Sequence, residues 1–252
     1  MFWYGPLYDV KSFSIFYGNP TEQKVQELKK FDAVILEPTA FSKENITILQ
    51  ESDVKVFGYV SLMQLENWNE ELKKHIADSD YAELNGERIY IEEWDTYVMD
   101  LRESHYRDAL RWKIEKYVTA NGLDGVFFDT VDDLDYYFHE DQETQQNMRS
   151  GYVSLLEELK SAYPELLILQ NRGFDTLKAA SKPYIDGVLW EGFEASDLQE
   201  SEWAKTWLKY FKKEQLIGKV RVLTVVTDEE SLKLSEKHRF PAFMRTGGTY
   251  QE

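Results

Sequence analysis

Cysteine is missing altogether from the 252 residues, which excludes a disulfide scaffold, a thiolate zinc site and a cysteine nucleophile while leaving the redox compartment open. Long hydrophobic runs are missing too. None approaches the roughly 18 apolar residues a membrane helix needs, so no membrane insertion is expected. The opening residues, Met1-Phe2-Trp3-Tyr4-Gly5-Pro6, have neither the basic n-region nor the apolar h-region of a secretory leader. As given, the chain reads as soluble and unsignalled, and a mature exported domain would read the same way. Basic residues are scarce: 29 Lys and Arg stand against 46 Asp and Glu, a formal charge of −17. That balance opposes phosphate backbones and anionic lipid, so nucleic acid is not an expected partner and a neutral or cationic one is favoured.

Other absences narrow the chemistry. The four histidines, His75, His105, His139 and His238, are scattered without ligand spacing, which argues against a catalytic zinc or iron site. The acidic run Asp129–Asp135 lacks the loop glycine and the bidentate glutamate of an EF-hand. No metal or other cofactor is expected. Lys55 and Lys219 fall at strand beginnings and no lysine ends a candidate strand, which leaves a Schiff-base aldolase without a nucleophile. The first strand is followed by Gly18-Asn19-Pro20 rather than a glycine-rich dinucleotide fingerprint.

What is present is an alternation. Eight β-branched or aromatic runs, at 13–17, 31–36, 54–62, 97–101, 124–129, 166–170, 185–190 and 220–226, are separated by segments of helical period. In those segments Leu110, Ile114, Tyr117 and Val118, or Met148, Tyr152, Leu155, Leu156 and Leu159, form single buried stripes. Several runs, such as Val34-Ile35-Leu36 and Val126-Phe127-Phe128, are apolar on both alternating faces, as parallel strands covered on both sides should be. Eight strand–helix units of about 30 residues predict an α/β fold, a single (β/α)8 barrel. No linker or low-complexity tract divides the chain, so one domain over residues 1–252 and a monomer are expected.

In such a barrel the reactive groups sit where strands end at the C-terminal face. The fifth run ends in Asp129 and the seventh leads directly into Glu191. Both are acids carried by rigid apolar strands and close enough around the barrel to flank one bond. Glycoside cleavage needs one ionised carboxylate and one protonated carboxyl placed in that way. Trp190 beside Glu191 is expected to supply apolar surroundings that favour the acid role. Tyr17, Tyr59 and Trp190 are the aromatic residues expected to stack on sugar faces. The tail Arg245-Thr246-Gly247-Gly248-Thr249, although it has the look of a phosphate-gripping loop, is read as frayed because no helix follows it.

Taken in order, Tyr17-Gly18, Gly58-Tyr59-Val60-Ser61, Met99-Asp100-Leu101-Arg102, the run from Gly122 to Asp132 and the run from Asp186 to Gly192 resemble the motifs of the GH114-type endo-α-1,4-polygalactosaminidase family. That family includes hydrolase domains of Pel-polysaccharide operons and spherulin-like barrels. The resemblance implies a barrel hydrolase cleaving α-1,4-linked galactosamine-rich exopolysaccharide, with Asp129 and Glu191 as the catalytic pair and an extracellular or cell-surface location. On this reading Asp129 is nucleophile or base, Glu191 is general acid/base, and Asp100, Arg102 and Asn171 orient sugar hydroxyls. Retention of configuration is the outcome the resemblance favours. A partly deacetylated amino-sugar polymer is cationic, and the excess of acids would concentrate it; Asp95, Asp100, Asp132, Asp133, Asp135, Glu194 and Asp197 all fall near expected strand ends. Two segments depart from the family pattern, Leu62-Met63-Gln64-Leu65-Glu66 and Gln170-Asn171-Arg172-Gly173. They motivate the alternatives of a non-catalytic polysaccharide-binding barrel or a hydrolase of another α-linked glycan.

Overall fold

The computed structural model describes residues 5–218, 220–248, 250 and 251. Met1–Tyr4, Lys219, Thr249 and Glu252, including most of the opening stretch, one of the two strand-beginning lysines and the last residue of the glycine tail, lie outside the described residues. Eight parallel strands form one sheet in chain order: β1 (Phe13–Phe16), β2 (Ala33–Leu36), β3 (Lys55–Ser61), β4 (Gly125–Asp129), β5 (Leu167–Asn171), β6 (Gly187–Glu191), β7 (Arg221–Val226) and β8 (Ala242–Met244). Each hydrogen-bonds in parallel to the next. At the remaining seam the Phe13 and Phe243 rings lie 6.1 Å apart, and the Tyr17 N–H donates to the Tyr250 carbonyl at 2.6 Å. The sheet is a nearly closed (β/α)8 barrel.

Period-two alternation sorts the side chains into two cores. Phe13, Ile15, Ile35, Phe57, Phe127, Leu169, Leu189 and Leu223 fill the inside of the barrel. Their sequence neighbours, among them Val34, Val56, Val126, Ile168, Val188 and Val222, pack outward against the helices. At the base Leu7 and Val10 join the inner core, and Arg221 donates to the Val10 carbonyl at 2.6 Å, so the floor is plugged. Gly125 is required where β4 begins: a Cβ there would lie 2.5 Å from both the Leu167 carbonyl oxygen and the Phe57 ring.

One expected strand leaves the barrel and one that was not expected takes a place in it. Residues around 97–101 do not enter the barrel. Thr96–Val98 pairs antiparallel with Gln64–Glu66 and Tyr90–Ile91 in a small sheet inserted between β3 and the helix Ser104–Tyr117. An apolar β-branched run looks the same in either setting, because composition reports burial and not pairing partner. The eighth barrel strand is Ala242–Met244, only three residues long and too brief to show a period. The two differences cancel in the count but renumber the site: Asp129 ends β4 and Glu191 ends β6.

The crossover helices follow their local signals. Thr21 caps Glu22–Leu28 through its side chain, which puts Pro20 just before the cap rather than inside the helix. Asp228 caps Glu229–Lys237 by accepting from the Ser231 N–H at 2.8 Å. The helix Ser104–Tyr117 starts after Glu103, whose side chain makes no capping bond. Between β5 and β6 a regular helix is replaced by short turns over 174–184, including a π-helical one at Leu177–Ser181.

Candidate active site

The residues that reach the mouth are set by parity. Two positions beyond Ile15, Phe57, Phe127, Leu169 and Leu189, all inside the barrel, stand Tyr17, Tyr59, Asp129, Asn171 and Glu191, which therefore also point inward but at the open end. The chain then swings away abruptly. Thr130 (φ 61°), Arg172 (φ 47°) and Gly192 (φ 70°), which follow the three polar side chains, are all left-handed. A β-branched residue in that region is costly. Thr130 is held there by bonds to its neighbours: its N–H donates to Asp129 Oδ1 at 2.8 Å, its hydroxyl to the Asp129 carbonyl at 2.7 Å, and the Met63 N–H donates to that same hydroxyl at 2.9 Å.

Asn171 lies between the two acids. Its amide nitrogen donates to Asp129 Oδ1 at 2.8 Å and to Glu191 Oε2 at 3.0 Å. The contacted oxygens can be no farther apart than those two bonds laid end to end, which is under about 6 Å and inside the range at which paired carboxylates act on one glycosidic bond. The orientation of the amide is fixed, since turning it over would set its oxygen against two carboxylates. Its own Oδ1 is buried and without a partner, an acceptor available to a donor entering the mouth.

The two acids differ in surroundings. Burial pushes the Asp129 carboxyl above its ordinary range and the nearby charge of Glu191 adds to this, against hydrogen bonds from Asn171, the Thr130 N–H and the Tyr59 hydroxyl. Burial likewise pushes the phenols of Tyr17 and Tyr59 well up, with Asp129 the next cause for each, so both remain hydrogen-bond donors. The rings of Tyr17 and Tyr59 lie 4.9 Å apart at the floor of the mouth. On the other Glu191 oxygen, Oε1, the Tyr250 hydroxyl donates and the Arg245 guanidinium lies at 3.4 Å.

The structure thus brings Tyr17, Tyr59, Asp129, Asn171 and Glu191 together and leaves three expected residues elsewhere. Trp190 points outward, because consecutive strand residues face opposite ways; it is buried among Phe174, Phe193, Trp203 and Phe211 behind the barrel wall. It neither offers a sugar platform nor surrounds the Glu191 carboxyl. Asp100 and Arg102 belong to the turn that joins the inserted sheet to the helix Ser104–Tyr117. There they bond each other, with Arg102 Nη2 on Asp100 Oδ2 at 2.6 Å, rather than any residue of the mouth. Of the other acids, Asp132 pairs with Arg172 at 3.5 Å and Asp133 accepts from Gln64 at 2.8 Å on the turn after β4, next to the pair. Asp135 is tied to Arg149 and Thr176, Glu194 to Thr227 and Ser231, and Asp95 to Asn67 and Tyr90.

Arg245 and Tyr250 were not expected at the site. They follow β8, a strand too short to announce itself, so the tail that was read as frayed instead crosses the mouth. Among the described residues no group of three or more His, Asp or Glu side chains is placed to hold a metal ion.

An open-ended parallel barrel that ties two acids through one amide at its C-terminal rim has the form of a barrel glycoside hydrolase. The sequence matches the model of glycoside-hydrolase family GH114 over residues 4–220, and the chain belongs to that family of glycoside hydrolases. Its fold is similar to that of the glycoside hydrolase domain of PelA from Pseudomonas aeruginosa, with a TM-score of 0.74 and 18% identity over 93% of this chain and 94% of that one. It is similar also to Aspergillus fumigatus Ega3, solved in complex with galactosamine, with a TM-score of 0.68 and 14% identity over 96% and 93% of the two chains. An α-galactosidase from Thermus thermophilus shares the barrel more distantly, with a TM-score of 0.61 and 10% identity over 94% of this chain and 58% of that one. Among curated protein sequences none matches.

Proposed function

We propose that the barrel mouth cleaves α-1,4-linked, galactosamine-rich polysaccharide internally and with retention, Asp129 acting as nucleophile and Glu191 as general acid/base. The observation that carries this reading is the shared Asn171 amide, at 2.8 and 3.0 Å from the two carboxylates. Retaining enzymes hold their carboxyl groups about 5–5.5 Å apart, whereas inverting ones leave room for a water at about 6.5–9.5 Å. In the first step Asp129 attacks the anomeric carbon while Glu191 gives its proton to the departing glycosidic oxygen. In the second, Glu191 takes a proton from water, the water oxygen bonds to the anomeric carbon, and the ester to Asp129 breaks.

The substrate class rests on family membership, on the galactosamine held by Ega3, and on charge. Burial pushes Asp129 toward its protonated form, yet a nucleophile must be ionised. An ammonium group on a bound amino sugar favours the ionised carboxylate, so a cationic substrate helps to activate the group that attacks it. Asp132 and Asp133 beside the pair add to the attraction. Exopolysaccharide as the natural polymer and an extracellular location accord with this reading.

The test is reducing-end release from galactosamine-rich α-1,4 polymer, beside its acetylated form and neutral galactan and glucan, with the configuration of the first product read by NMR. Asp129→Asn and Glu191→Gln are each expected to reduce turnover by about a thousandfold or more with unchanged circular dichroism. Near-parental hydrolysis by either variant sinks the assignment, and activity confined to a neutral glycan moves the substrate elsewhere.

A further inference from the structure

We infer that the segment after β8 is a positioning strap for Glu191, with Tyr250 and Arg245 as its working residues. The inference rests on the reading of Glu191 as the general acid/base. The family match ends at residue 220, before β7, β8 and this segment, so that match says nothing about these two residues.

The segment is tied down at several independent points. Arg245 is anchored by its N–H to the Val226 carbonyl at 2.9 Å, and Tyr250 by its carbonyl, which accepts from the Tyr17 N–H at 2.6 Å. The Tyr250 ring packs 5.4 Å from Tyr17 and 6.1 Å from Phe243, and the Arg245 guanidinium lies 5.8 Å over it. With backbone and ring fixed, the hydroxyl has one destination, Glu191 Oε1, which the Arg245 Nη1 approaches as well. Asn171 serves the other oxygen. Glu191 stands at a strand end before a left-handed glycine, and among the described hydrogen bonds no others reach its carboxylate. The strap therefore fixes the direction of the carboxylate toward Asp129.

It also sets the charge balance. The groups that face Glu191 are Asp129 from β4, Asp132 from the turn beyond it, Tyr17 from β1, and Arg245 and Tyr250 from the strap. Among these groups two are acids, Arg245 is the cation, and the Tyr250 hydroxyl is the donor on Oε1. A general acid must be protonated when substrate arrives, yet must become an effective base in the second step.

The experiment uses the full chain with Tyr250→Phe, Arg245→Gln and Arg245→Lys, assayed on galactosamine-rich polymer across pH. Tyr250→Phe keeps the ring and the backbone bond to Tyr17, so the seam stays closed. It is expected to lower kcat about tenfold, with KM changed less than about twofold, as loss of an aligned general acid should. Arg245→Gln is expected to move the high-pH limb of kcat/KM upward by about one pH unit, and Arg245→Lys to return most of that shift. If the low-pH limb moves upward instead, the strap stands and the acid role of Glu191 in the proposed mechanism falls. If kcat and both limbs stay parental in Tyr250→Phe and Arg245→Gln, the strap only closes the barrel and the inference is wrong.

Discussion

Asp133 shows how one side chain can trade stability for charge at the mouth. Burial raises its carboxyl to about 7, with the hydrogen bond from Gln64 opposing and the charges of Asp132 and Asp129 adding. The unfolded chain gives up that proton near pH 4, about the ordinary aspartate value. The native state thus binds the extra proton between those values, and the stabilising contribution is complete below pH 4 and lost as pH rises through 7. Asp133→Asn is therefore expected to melt higher than the parent at pH 8, by about 3 °C, and to differ little at pH 4. A parallel pair of melting curves at the two pH values checks it. At this scale the sequence was informative wherever strand parity could be applied: Asp129, Asn171 and Glu191 were legible as strand ends. The same parity argues against Trp190, since a Glu191 that faces in sends its neighbour out. Nothing in the residues near 250 signalled that a tyrosine hydroxyl would return to Glu191, because that contact is made from 59 positions further along the chain.

The strands that carry the acids owe their packing to what they leave out. Gly125 opens β4 on the inward face, where an added methyl would meet a backbone carbonyl and the Phe57 ring at 2.5 Å. The carbonyl cannot rotate aside as a flexible side-chain end could. Gly125→Ala is expected to cost about 2 kcal/mol by overpacking and to lower the melting temperature by about 6 °C, measured by calorimetry. Seven of the eight parallel strands, β1 to β7, were readable from their apolar runs, whereas β8 was not. Three residues bear no period, and Ala242-Phe243-Met244 is only partly buried. The inserted sheet misled for the converse reason: Val98 and Met99 are as buried as any barrel residue, and burial is all that an apolar run reports.

For the molecule as a whole the excess of 17 negative charges acts at a distance. Exposed charges are screened over about 8 Å at physiological ionic strength, so capture of a cationic polymer should weaken as salt rises. Between 50 and 500 mM NaCl, kcat/KM on the galactosamine-rich polymer is expected to fall about tenfold through KM, with kcat nearly constant. Salt-insensitive KM would mean that recognition is local to the mouth and that the overall charge serves solubility alone.

The single amide that joins the two acids also makes the site sensitive to the exchange of one atom. The substitution Asn171→Asp changes scarcely any volume, yet it sets a third anion between Asp129 and Glu191 in place of the donor they share. Such a variant is expected to keep its shape and lose its chemistry, so an oxygen in place of one nitrogen separates a working mouth from an inert one.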